Sequence, residues 1–211
     1  MAHLDLEEQE QLAQLKSWWE TYGNMVVTAL VLAALVLTGW QGWRYWQDRQ
    51  AAEASNLYES LAKSMQGNEP KAVRDATGEL LEKYPGTLYA PMGALTAARY
   101  FFDKGDLKGA KAQLQWVVDK AGQDEFRDVA RLRLANVLLD EKSFDEALKA
   151  LDAKHGDAFA AQFAALKGDI LVAKGQAADA KAAYKVALEK AGAKGAGLKE
   201  SVQMRLDALG G

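Results

Sequence analysis

Residues able to do covalent chemistry are scarce in this 211-residue chain, and badly spaced for it. Ser60 and Lys63 make an S-x-x-K pattern of the kind serine acyl-enzymes use, but no K-T-G partner motif follows, so the match is read as an accident on a simple helix. The two histidines, His3 and His155, stand far apart with no ligand spacing. The chain has no cysteine, which excludes disulfides, thiolate metal sites and thiol catalysis without choosing a compartment. The glycine-rich stretch 192–197 follows no strand and lacks the Lys-Ser/Thr ending of a phosphate loop. The expectation is therefore no catalytic, cofactor-binding or metal-ligating residue, no cofactor, and a protein that is not an enzyme.

What remains is surface, and the surface is set by repeats. Three stretches align without gaps across a polar turn. Each has a small residue in its first helix (Ala98, Ala135, Gly168) and an apolar one three positions on (Phe101, Leu138, Leu171). After the turn come an alanine (Ala110, Ala147, Ala180) and, four positions later, a large residue (Leu114, Leu151, Tyr184). Antiparallel helices approach closely where side chains are small, so the first-helix small residues are expected against the second-helix alanines. A lone helical pair cannot cover its own apolar face, so the pairs must stack. First helices would then line the concave side, exposing Leu95, Arg99, Phe102, Leu132, Asn136 and Leu139 to a partner segment, with Asp169 and Val172 further along. The alternative is that these side chains pack against neighbouring helices.

The repeats follow a segment of another kind. Residues 21–43 contain no charge, and their span of about 34 Å as a helix suffices for a hydrocarbon core about 30 Å thick. Trp18, Trp19 and Tyr22 precede the apolar run; Trp40, Trp43, Tyr45 and Trp46 follow it. Amphipathic rings are most stable at the two membrane–water interfaces, so this is the pattern of a membrane anchor. A cleaved signal peptide would need a basic leader, and residues 1–20 instead hold five acidic residues against Lys16 alone. Ala34, Thr38 and Gly42 form a row of small side chains that could let another membrane helix approach.

The chain thus divides into an acidic tail (1–20), an anchor (21–46) and a helical domain (47–211) near charge neutrality, with no basic stripe for nucleic acid. Within the domain we expect a degenerate hairpin at 51–84, repeats at about 88–121, 124–154 and 157–191, a flexible loop at 191–197 and a capping helix at 198–209. The fold class is all-α: a transmembrane helix followed by an α-solenoid of stacked hairpins. The small–aromatic–alanine–aromatic pattern resembles the tetratricopeptide repeat, without its early Trp and late Pro.

Further residues carry a closer resemblance. The acidic tail, the Lys16-Ser17-Trp18-Trp19 flank, the Gly42-Trp43-Arg44-Tyr45-Trp46 exit and the Arg131-to-Ala135 helix together resemble the YfgM-like family of ancillary SecYEG translocon subunits. The resemblance implies a single-span protein of the bacterial inner membrane, N-terminus cytoplasmic and repeat domain periplasmic. It also implies association with SecYEG and with the membrane-anchored periplasmic chaperone PpiD, helping newly translocated chains reach chaperones. Charge alone favours the opposite orientation, since Lys16 precedes the anchor and Arg44 and Arg49 follow it. A cytoplasm-facing membrane scaffold for another assembly is therefore the alternative function.

Overall fold

The uncharged run lies within helix α1 (Leu6–Gln66), the first element of a computed structural model that describes residues 6–192 and 195–210. His3 and residues 193–194, the centre of the expected loop, lie outside the described residues. Among those described, α1 alone is long and apolar enough to cross a membrane. A core helix of a soluble protein would be mostly buried, whereas only 6% of the most apolar stretch of α1 is. Leu30, Leu32, Leu35 and Val36 are all exposed. The threonine hydroxyls in this stretch turn back onto the helix. Thr28 donates its hydroxyl proton to the Asn24 carbonyl at 2.7 Å, and Thr38 donates to the Ala34 carbonyl at 2.8 Å. Each threonine can therefore sit in a hydrocarbon phase without an orphaned donor.

The chain divides into two compact units, residues 1–49 and 50–211. The second is all-α. It contains the end of α1, then α2 (Pro70–Lys83), α3 (Tyr89–Asp103), α4 (Leu107–Lys120), α5 (Asp124–Asp140), α6 (Phe144–Leu151), α7 (Ala160–Ala173), α8 (Ala177–Lys190) and α9 (Ala196–Ala208). Successive helices pack as antiparallel hairpins, α3 on α4, α5 on α6 and α7 on α8. First helices also touch one another, α3 against α5 and α5 against α7, so the hairpins stack. These are stacked helical hairpins resembling tetratricopeptide repeats.

One backbone device closes every hairpin. Asn68, Gly105, Lys142 and Gly175 occupy equivalent positions and all have left-handed backbone, with φ of 54°, 75°, 61° and 82°. At each, the residue's own N–H bonds back three residues and the next N–H bonds back five. Gly105 donates to Phe102 and Asp106 to Phe101, and Lys142 donates to Leu139 and Ser143 to Leu138. Gly175 donates to Val172 and Gln176 to Leu171, while Asn68 donates to Met65 and Glu69 to Ser64. The pattern satisfies the last carbonyls of the incoming helix and fixes where the next one starts.

Counting from this turn, the four signature positions coincide in all hairpins. In the three regular ones every signature residue is buried, from Ala98 and Phe101 to Ala180 and Tyr184. In the first hairpin the same positions hold Leu61, Ser64, Val73 and Thr77. Leu61, Val73 and Thr77 are fully buried, and Thr77 returns its hydroxyl to the Val73 carbonyl at 2.7 Å. The first hairpin is a repeat whose small and alanine positions have been filled by larger residues.

Close approach at a small residue has a specific occupant in the last regular hairpin. A β-carbon on Gly168 would lie 2.3–2.9 Å from ring atoms of Tyr184. The small residue of α7 therefore receives the large residue of α8, and Gly168 is required because the phenol ring occupies the space. Ala98 and Leu114, at the corresponding positions, fall in one core cluster, as do Ala135 and Leu151. Ala191, expected to begin a flexible loop, is buried, with its N–H bonded to the Ala187 carbonyl.

The turn generates a paired prediction. Lys142 is a side-chain-bearing residue in left-handed backbone that glycine adopts without steric cost. Lys142→Gly should stabilise the domain by ~0.5 kcal/mol, and Gly175→Ala should destabilise it by about 1–2 kcal/mol. Urea denaturation of the detergent-solubilised chain checks both signs.

Candidate partner-binding groove

Hairpin stacking leaves a groove of about 390 Å³ where α3 and α5 lie side by side above α4. Its floor is apolar: Ala98 and Phe102 from α3, Leu114 from α4, and Val137 from α5. Its rim is polar: Arg99, Arg133, Asn136 and Asp140. Helical spacing explains the split. Ala98 and Phe102 are one turn apart and share a row of α3 turned to the floor, while Arg99, one residue round from Ala98, falls on the rim.

The rim groups are partly committed. Arg99 gives its Nε proton to Asp103 at 2.8 Å, an exposed pair one helical turn long that leaves the outer guanidinium nitrogens available. Arg133 reaches from α5 to the Leu95 carbonyl on α3 at 3.2 Å. Asn136 donates to the Leu132 carbonyl at 2.9 Å, which leaves its amide oxygen free to accept. The groove can therefore hold an apolar side chain against Phe102 and Val137 while the rim offers donors and acceptors to main-chain groups beside it. It contains no nucleophile–base pair, and no cluster of metal-ligating side chains occurs among the described residues.

The sequence-derived surface is only partly assembled here. Arg99, Phe102 and Asn136 converge on the groove. Leu95 does not: it is buried in the central core, because α5 packs over it and Arg133 covers its carbonyl. Leu132 and Leu139 are half-buried against the same core and do not line the groove. Asp169 is engaged already, accepting the Tyr184 hydroxyl at 2.7 Å and Arg205 at 2.7 and 2.9 Å. Burial first, then that carboxylate, pushes the Tyr184 phenol above its ordinary pKa. Val172 remains exposed beyond it. Arg133 and Asp140 join the rim from positions other than those of Leu132, Asn136 and Leu139, so the repeat spacing gives no sign of either. The Ala34, Thr38 and Gly42 row is exposed on the anchor, and a β-carbon on Gly42 would meet nothing.

Ion pairs link successive hairpins. Arg74 of α2 lies over the Phe101 ring and pairs with Asp106 at 2.8 Å, and Lys111 of α4 pairs with Glu141 at 2.6 Å. Behind α5, buried Asp128 accepts the Gly156 N–H at 2.8 Å and Arg131 at 3.0 Å, while Arg131 also donates to the Lys154 carbonyl. These bonds take up the loop after α6, which is only eight residues long where α4 and α8 have fourteen.

The comparisons with known proteins agree with this architecture. A family described as "Tetratricopeptide repeat-like domain" matches residues 16–211. The "Ancillary SecYEG translocon subunit" of Haemophilus influenzae is 33% identical over 208 residues, covering 97% of this chain and 98% of that protein. The chain belongs to this family. Proteins of the same description from Neisseria gonorrhoeae and Escherichia coli are 33% and 30% identical, covering 97% and 96% of the chain and 98% and 96% of their own lengths. No solved structure matches. The match to the Haemophilus influenzae protein runs along nearly the whole chain, α1 and the hairpins alike.

The α4 start supplies a pH prediction. Asp106 caps α4 by accepting the Gly109 N–H, and that bond first, then Arg74, holds its carboxyl below the ordinary value of 3.8. A carboxyl depressed in the folded state stabilises the fold above its unfolded pKa, and the contribution disappears as pH falls through the folded pKa. Below about pH 4 the parent should lose stability more steeply than Asp106→Asn, which caps without titrating. Thermal melts of both proteins between neutral pH and about pH 2 read the difference in slope.

Proposed function

We propose that this protein is a membrane-anchored adaptor of the SecYEG translocon. Its repeat domain stands in the periplasm and holds a segment of a partner chain in the groove between α3 and α5. It helps pass newly translocated proteins to periplasmic chaperones, with a PpiD-like membrane-anchored chaperone as the second partner. The N-terminus stays in the cytoplasm, and α1 makes the single pass through the inner membrane. The observation that carries the adaptor reading is the groove itself: an apolar floor at Phe102 and Val137 under a rim of hydrogen-bonding groups, without catalytic chemistry. Support for the translocon as partner comes from relatives of that description along nearly the full chain. The Ala34, Thr38 and Gly42 row offers a second contact, to a membrane helix of the translocon.

One observation favours a second reading. Arg44 and Arg49 after the span outnumber Lys16 before it, which suits a cytoplasm-facing scaffold. The bias is one charge, and long domains translocate largely regardless of charge. A reporter fused after Gly211 decides between the two: alkaline phosphatase activity is expected, and a fluorescent fusion active only in the cytoplasm would sink the periplasmic reading.

The groove is tested through exposed residues, so that folding is spared. Arg99→Glu with Asn136→Lys should lower crosslinking of the domain to SecYEG or the chaperone at least about fivefold, as loss of a few central contacts does at interfaces generally. Circular dichroism and membrane retention should stay at parental levels. Parental crosslinking by the folded variant would move the partner surface away from α3 and α5.

A further inference from the structure

The helix that carries the anchor begins well before it, and its early turns present an exposed apolar ridge. Leu12, Leu15 and Trp19 recur at helical spacing on one face, continued by Tyr22. They are 53%, 62%, 52% and 49% exposed. Trp19 folds its ring over Gly23, with indole atoms 3.1 Å from where a β-carbon would be, and so lies within the interfacial belt. Leu12 and Leu15 are different. At 1.5 Å per residue they stand about 13 Å and about 9 Å of helix before Thr21, where the uncharged span starts. A headgroup layer only about 5–8 Å deep does not reach them.

Charge narrows what could cover this ridge. Residues 1–20 carry a net charge of −4. Anionic lipid repels such a segment, so the membrane surface is a poor partner. A second copy would set the same negative charge against itself. What fits is a surface both apolar and basic, close to the membrane. Cytoplasmic loops of multispanning membrane proteins have that chemistry, because Lys and Arg are retained on the cytoplasmic side.

We propose that Leu12 and Leu15, on a tail of net negative charge, form a docking ridge for a basic cytoplasmic loop of a multispanning membrane partner. This deepens the adaptor reading and rests on its orientation, with the tail in the cytoplasm. The ridge and the groove would then grip on opposite sides of the membrane, one through charge and apolar contact at the tail, the other through the repeats.

The test uses the full chain, reconstituted with purified SecYEG in nanodiscs of phosphatidylethanolamine and phosphatidylglycerol. A photoreactive amino acid is placed at Leu15 in one preparation and at Arg99 in another. The Leu15 probe should crosslink to a cytoplasmic loop of SecYEG. With that probe in place, charge reversal by Glu10→Lys and Glu20→Lys should reduce the yield at least fivefold, and so should Leu12→Ser. Crosslinks from Leu15 to lipid or to a second copy, or a yield unchanged by these substitutions, would overturn the proposal. Should the Arg99 probe capture SecYEG while the Leu15 probe does not, the ridge fails and the adaptor reading stands. Silence from both probes would reject the two together.

Discussion

Each hairpin of the repeat domain depends on one residue whose backbone is left-handed. At Asn68, Gly105, Lys142 and Gly175 the chain reverses, and two N–H groups close on carbonyls three and five residues back. That bonding fixes the length of the turn, and so the phase of the second helix against the first. With the phase set, Phe101, Leu138 and Leu171 fall on buried faces, and so do Ala110, Ala147 and Ala180. A turn longer by one residue would rotate the outgoing helix by about 100° and expose its alanine row. The repeat pattern in the sequence is the consequence of this constraint: small and large residues recur because the turn returns them to the same place.

This also explains how much could be read without coordinates. The three regular hairpins were legible because each keeps all four signature residue types around its turn. Hairpin one was harder to read, since Leu61, Ser64, Val73 and Thr77 stand where the others have small, apolar, alanine and large residues. Its shared turn is a property of φ and hydrogen bonding, which Asn68 provides without being glycine. What fills each gap between the helices is hidden for a related reason. Spacing tells which residues share a face but not which facing residue fills which gap, and Gly168 turned out to accommodate the Tyr184 ring. Leu95 shows the same limit. It has the spacing of a surface position and is buried only because α5 arrives beside it.

The partner site was legible to the extent that it repeats. Arg99, Asn136 and Asp169 occupy one equivalent position in successive hairpins, six residues before the turn. Arg99 and Asn136 meet at the groove. Asp169 is removed from it by the capping helix, since Arg205 of α9 and the Tyr184 hydroxyl take both carboxylate oxygens. The helix that seals the last apolar face thereby also neutralises the last polar position of the row. Nothing in the spacing of α7 announces this, because the partner comes from thirty-six residues downstream.

The two units meet different solvents and solve the same problem in opposite ways. In the repeats, apolar side chains are covered by the next hairpin, and buried polar groups such as Asp128 are held by N–H donors and a guanidinium. In the anchor, apolar side chains stay exposed, and the threonine hydroxyls turn back onto the helix's own carbonyls. Exposure of Leu32 or Val36 is no anomaly on a helix long and apolar enough to cross a membrane, where lipid would take the place of the missing hairpin. Leu12 and Leu15 fall under neither solution. Both are exposed, and they stand outside the depth at which lipid could serve. An apolar ridge beyond the reach of lipid is why the occupant proposed for it is a protein surface.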